Sequence, residues 1–169
     1  MVDLYDLAIL GGGPAGLSAS VYSARKLLKT CLIAKEIGGQ VLLTSGVENY
    51  MGFEFISGPE LIQKFEEQVN QFEIVQVLGE KVEKLFKRGE EFVVMTEQNQ
   101  EILAKAVIVA TGKRSRELGV PGEREFAGRG VSYCATCDGP FFKDLPVAVI
   151  GGGNSAFETA MDMLKLCPE

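Results

Sequence analysis

The chain has 169 residues, with 17 Lys+Arg against 23 Asp+Glu, and the resulting net charge of −6 argues against a nucleic-acid surface. It contains no His, which removes Ser-His-Asp and Cys-His catalysis and Cys/His zinc sites together. No apolar run approaches the roughly 18 residues of a membrane span, and MVDLYDLAIL lacks the basic start of a signal peptide, so a soluble, cytoplasmic protein is expected.

Leu4 to Leu10 reads as a buried strand running into Gly11-Gly12-Gly13-Pro14-Ala15-Gly16 and a helix that ends near Leu28. Thr30 to Ala34 reads as a second strand and completes a βαβ unit. Ser57-Gly58-Pro59-Glu60 has the form of a helix start, and Leu61, Ile62, Phe65 and Val69 give that helix one apolar face. From Phe72 to Thr96 the pattern changes to short strands with polar turns, predicting a small β-rich insertion. A buried strand, Ala106 to Ala110, follows. After a polar connector come Cys134-Ala135-Thr136-Cys137, a strand Val147 to Ile150, and a helix to about Leu166. The order predicts an α/β protein: a Rossmann-like domain with a parallel sheet and a β-rich insertion, then the start of a second Rossmann-like unit.

Gly11-x-Gly13-x-x-Gly16 stands between a strand and a helix, the context a dinucleotide fingerprint requires. The motif needs a tight turn, close backbone approach to a pyrophosphate, and close helix–strand packing, with the helix N-terminus facing the phosphates. Gly12 is read as the unconstrained position between. Gly151-x-Gly153-x-x-Ala156 repeats the arrangement 140 residues later, which points to two dinucleotides and electron transfer between them. The acidic residue anticipated about 20 residues past the first motif is not cleanly present. Glu36 arrives slightly late and reads equally as a ribose contact or a solvated charge.

Cys134 and Cys137 form a C-x-x-C. A zinc site lacks two further ligands, since Cys31 and Cys167 are isolated and read as structural. A thioredoxin-like motif does not explain the two nucleotide fingerprints, and inert buried thiols stay open. A redox-active disulfide served by a flavin fits the spacing, in which one Cys attacks and the other resolves. Asp138 is a candidate proton donor or acceptor, or equally a turn residue.

GGGPAG, YSARK (Tyr22 to Lys26), GGQ (Gly38 to Gln40), ENY (Glu48 to Tyr50), ATG (Ala110 to Gly112), CATCDGPFF and VAVIGGGNSA stand in the order seen in low-molecular-weight thioredoxin reductases. The chain is similar along its whole length to that family, and to the flavoprotein subunit of alkyl hydroperoxide reductase. The resemblance implies that Gly11, Gly13, Pro14, Ala15 and Gly16 cradle the FAD pyrophosphate, and that Gly39, Gln40, Thr44 and Asn49 contact FAD. It puts Val82 by the adenine and Ala110, Thr111 and Gly112 at the strand end closing over the cofactor. Cys137 would lie against the flavin, with Cys134 as the exchange thiol and Asp138 as the acid. Gly151, Gly153, Asn154, Ser155 and Ala156 would begin the NADPH or NADH site.

The implied activity is an NAD(P)H-driven disulfide reductase. Electrons would pass through FAD to Cys134–Cys137 and on to thioredoxin or a thioredoxin-like or peroxiredoxin-linked protein disulfide, in a cytoplasmic homodimer. Residues 1–112 would be the first segment of the FAD domain and residues 113–169 the start of the NAD(P)H domain. The family's closing Gly-Asp pair is absent, and its 2′-phosphate-reading basic cluster is expected beyond Glu169, so the chain reads as the first half of such an enzyme. Phe157, Met161 and Leu164 would then lack the sheet that buries them. The competing readings are a non-catalytic flavin-binding fragment and a flavin disulfide reductase fed by a non-nicotinamide donor such as a ferredoxin.

Overall fold

The computed structural model describes residues 3–44 and 46–167. The chain divides into two compact units, one of Met1–Leu42 with Pro59–Arg114, the other of Leu43–Gly58 with Ser115–Glu169. The first is a six-stranded sheet with two helices: β1 (Leu4–Gly12), α1 (Pro14–Arg25), β2 (Thr30–Ile37), α2 (Gly58–Val69), β3 (Val75–Leu78), β4 (Val82–Arg88), β5 (Glu91–Thr96) and β6 (Glu101–Val109). The strand order is β3-β2-β1-β6-β5-β4. β3, β2, β1 and β6 run parallel, while β5 pairs antiparallel with both β6 and β4.

Side-chain alternation along the central strands sorts the core into two clusters. Leu7 and Ile9 of β1 and Leu32 of β2 meet Leu17 of α1 and Val69 of α2. Ala8, Leu10, Cys31 and Ile33 instead meet Val94 of β5 and Ile102 and Ala104 from the first half of β6, where it pairs with β5. The helices thus cover one face of the parallel strands and the β4–β5 hairpin contributes the cover of the other. Burial on both faces accounts for the nearly continuous apolar reading of Leu7–Leu10.

Three expectations need correction. The run beginning at Phe72 does not belong wholly to the insertion: Val75–Leu78 is the parallel edge strand of the main sheet, and the insertion is the β4–β5 hairpin alone. A short apolar run has the same pattern in either setting; only its partner distinguishes them. The first helix stops at Arg25 rather than near Leu28, because Leu27 takes a left-handed backbone (φ 57°) that no helix continues through. Val147 to Ile150 forms no strand among the described residues, since no neighbouring strand offers its backbone a ladder.

In the second unit, a short helix α3 (Ala135–Asp138) leads into a 3-10 turn, Gly139–Phe142, and a longer helix α4 (Asn154–Met163) follows. The end of α4 is held against that turn. Met163 Sδ lies 3.1 Å from where a Cβ on Gly139 would sit, and buried Cys167 donates its S–H to Phe142 O at 3.0 Å. The other face of α4 is bare, with Phe157, Met161 and Leu164 about 70% exposed. No helix of the described residues is long and apolar enough to cross a membrane.

Ile9 is fully buried between β1 and the helices. Ile9→Ala is expected to lower unfolding free energy by about 2–5 kcal/mol, read from urea denaturation. A loss below about 0.5 kcal/mol would place the helical layer elsewhere.

Candidate functional site

The strands β1, β2 and β6 end at one edge of the parallel sheet, and the first glycine motif turns there into α1. A Cβ on Gly16 would sit 1.8 Å from Gly11 O, so the first turn of α1 rests directly on the end of β1. Gly11 has φ +118°, and a Cβ there would meet Ala110 O at 2.3 Å. Gly13 is the N-cap, with nothing within 4 Å of a Cβ, Pro14 follows at N1, and no acidic residue lies in the first turn. The N–H groups of Ala15 and Gly16 are among those a helix start leaves without intrahelical acceptors. An uncapped, open helix start with free donors and the positive end of the helix dipole fits a pyrophosphate.

Gly12 is not the unconstrained position. A Cβ there would meet Glu36 O at 2.7 Å, Ile37 Cδ1 at 2.7 Å and Ala34 Cβ at 2.9 Å. The crowding comes from a bulge in the β1–β2 register, where Leu10 faces Ile33 but Gly12 faces Ile37. Glu36 lies on β2 within this bulge. Its exposed carboxylate accepts from Arg114 at 3.0 Å.

Some of the other predicted cofactor residues gather at the same edge. Gly39 (φ +59°) would place a Cβ 3.4 Å from Gly13 Cα, and Gln40 Nε2 donates to Lys113 O. Ala110 N donates to Leu10 O at 2.8 Å, which fixes Ala110 and Thr111 beside Gly11, with Gly112 next in the chain. Val82, at the start of β4, packs partly buried on the hairpin-side core. Thr44 and Asn49 fall in the second unit, where Asn49 is exposed.

Cys134 and Cys137 are joined in a disulfide, with Cα atoms 5.3 Å apart. Cys134 caps α3: Cys137 N donates to Cys134 Sγ at 3.3 Å, and Asp138 N donates to Cys134 O at 3.0 Å. The Asp138 carboxylate accepts from Ser132 Oγ at 2.6 Å and from Thr44 Oγ1 at 3.1 Å. A carboxylate therefore stands one residue from the disulfide with both oxygens held by hydroxyls. Cys31 is buried in β2, where desolvation pushes its thiol up to about 11 and keeps it protonated and unreactive.

The second glycine motif keeps the turn but not the burial. Gly151 has φ +139°, with a Cβ there 3.1 Å from Ala156 Cβ, and Gly153 is an open N-cap to α4. Asn154, Ser155 and Ala156 form the first turn of α4. No strand precedes it among the described residues.

The family profile described as pyridine nucleotide-disulphide oxidoreductase matches residues 5–169. The chain is 47% identical over 167 residues to thioredoxin reductase from Peptoclostridium acidaminophilum, covering 98% of this chain and 52% of that protein. It is 44% identical over 164 residues to a subunit of the alkyl hydroperoxide reductase of Pseudomonas aeruginosa, covering 95% of this chain and 32% of that one. The crystal structure of thioredoxin reductase from Streptococcus pyogenes superposes with a TM-score of 0.91 at 44% identity, over 97% of this chain and 53% of the other. The chain thus spans about half the length of the thioredoxin reductases it matches.

One residue of the disulfide's surroundings has no signal in the sequence. The carboxylate of buried Glu123 accepts from the N–H groups of Leu118 (2.8 Å), Gly119 (2.7 Å) and Val120 (3.4 Å), and from the Tyr133 hydroxyl next to Cys134. The Tyr133 hydrogen bond, then those amides, hold Glu123 below the usual carboxylate range. The same bond pushes the Tyr133 phenol from 10.0 up to about 12. The stabilisation from Glu123 is present at neutral pH and is lost as pH falls through its lowered value. That from Tyr133 is complete below pH 10.0 and is lost as pH rises through about 12. In an ultraviolet titration, Glu123→Gln is expected to move one phenol ionisation back toward 10.0; coincident curves would break the assignment.

Proposed function

The chain belongs to the pyridine nucleotide-disulphide oxidoreductase family, and on that premise we propose that it is the FAD- and NAD(P)H-binding part of a thioredoxin reductase-type disulfide reductase. The observation that carries this reading is the presence in one chain of an open glycine-lined helix start and a disulfide with a hydrogen-bonded carboxylate beside it.

Residues 1–112 carry the FAD site in this reading and residues 113–169 begin the NAD(P)H site. Gly11 to Gly16 hold the pyrophosphate, with Gly39, Gln40 and Ala110 to Gly112 around them; Thr44, Asn49 and Val82 are further contacts carried by the resemblance. When bound, FAD supplies a two-electron carrier between nicotinamide and disulfide. Cys134 is the thiol that exchanges with a thioredoxin-like protein disulfide, Cys137 resolves the mixed disulfide, and Asp138 moves the proton. Gly151, Gly153, Asn154, Ser155 and Ala156 form the phosphate-facing turn for the nicotinamide nucleotide.

A second reading, flavin binding without nicotinamide turnover by this chain alone, is favoured by the unpaired Val147–Ile150 and the bare face of α4. Anaerobic addition of FAD and then NADPH or NADH separates the two. Flavin bleaching with appearance of two thiols supports the reductase; bound flavin that neither nucleotide bleaches supports the second reading.

The two inner glycines should behave oppositely. Gly13→Val is expected to cut retained FAD by about tenfold, since its side chain enters the open phosphate space, while the thermal midpoint falls by only a few degrees. Gly12→Ala is expected to lower the midpoint more, by crowding the Glu36 carbonyl. Equal flavin retention and equal midpoints in the two variants would contradict the site.

A further inference from the structure

The hydroxyl of Ser132 joins the disulfide's backbone to the carboxylate beside it. Ser132 Oγ accepts the Cys134 N–H at 3.1 Å and lies 2.6 Å from Asp138 Oδ2; its other acceptor in reach, Cys134 O, is 3.3 Å away. A hydroxyl has one proton and two lone pairs. With a lone pair given to Cys134 N, the proton goes to the nearer, charged oxygen, at a length typical of a charge-assisted O–H···O⁻ bond. Thr44 holds the other oxygen differently. Its hydroxyl is 3.1 Å from Asp138 Oδ1 but 2.9 Å from Gly46 O, so it has a neutral acceptor to turn to when Oδ1 becomes a donor. Oδ2 is the anchored oxygen, and Oδ1 is the one that can be released. Asp138 also lines a recess with Gly128, Arg129, Gly130, Phe141 and Phe142, which gives it an open side.

We propose that Ser132 is a positioning residue for thiol–disulfide exchange: it locks Asp138 to the Cys134 backbone through Oδ2, leaving Oδ1 to take up and return the exchanged proton. The proposal rests on reading Cys134–Cys137 as the redox pair. With a dithiol as reductant the chemistry balances within the exchange. The Cys134–Cys137 S–S bond breaks, the reductant's own S–S bond forms, and its two electrons and two protons pass to the two cysteines, one proton by way of Oδ1. The tie also restrains the side-chain torsions of a carboxylate one residue beyond the pair.

The test uses the full chain with dithiothreitol under anaerobic conditions, quenching samples with an alkylating agent and counting modified cysteines by mass. Asp138→Asn and Ser132→Ala are each expected to slow reduction by about tenfold, the loss of one charge-assisted hydrogen bond, and Ser132→Thr to stay within about twofold of the parent. The double variant Ser132→Ala/Asp138→Asn is expected to be no slower than Asp138→Asn alone, since Ser132 acts through that carboxylate. A parent-like rate in Ser132→Ala overturns the proposal. So does a Ser132→Thr as slow as Ser132→Ala, or a double variant slowed by the product of the single effects. The assay needs neither flavin nor nucleotide. A chain that shows this pattern yet fails to bleach flavin therefore contradicts the reductase reading and leaves the role of Ser132 standing.

Discussion

The contact of Gly16 with the Gly11 carbonyl sets the position of everything at the sheet edge. With a Cβ at residue 16 only 1.8 Å from that oxygen, no L side chain fits unless α1 lifts off β1. Lifting it would withdraw Leu17, the next residue, from the cluster it shares with Leu7, Ile9, Leu32 and Val69. The same seating points the start of α1 across the ends of β1 and β6 and leaves Gly13 facing open space. Core packing and ligand geometry are therefore one constraint: the residue that lets the helix pack also aims its free N–H groups. Ligands of open α/β sheets gather at such strand ends for this reason.

The two glycine motifs separate what a local pattern dictates from what it does not. Both give a positive φ at the first glycine and an uncapped third glycine at a helix start. Those features come from the turn itself. Around the first, paired strands on either side of β1 bury the turn's flanks. Around the second no paired strand precedes the turn among the described residues, and the helix it opens shows Phe157 and Met161 to solvent. A fingerprint specifies the cradle, and the sheet behind it must come from elsewhere in a fold.

The same distinction explains which features were legible in the sequence. The βαβ unit, the glycine turn and the C-x-x-C are short-range, so spacing and residue type were enough. The antiparallel hairpin was legible as well, with Gly89 (φ +63°) at its turn. The placement of Val75–Leu78 was not, because a four-residue strand has no signal for its partner. The crowding at Gly12 arises from the β2 bulge, a register feature linking residues more than twenty positions apart. Thr44 meets Asp138 across 94 positions, and Glu123 acts through loop amides and a tyrosine ten residues on. Such side-chain partnerships are set by tertiary closure and leave no periodicity behind.

In the proposed function, the edge formed by the Gly11–Gly16 turn and the end of β6 holds a dinucleotide. Hydrogen–deuterium exchange of the full chain, with and without added FAD, tests it most directly. The expected result is slowed exchange at the amides of residues 11–17 and 110–112, with the β4–β5 turn around Gly89 unchanged. Slowed exchange confined to other segments, or none at saturating FAD, would contradict it.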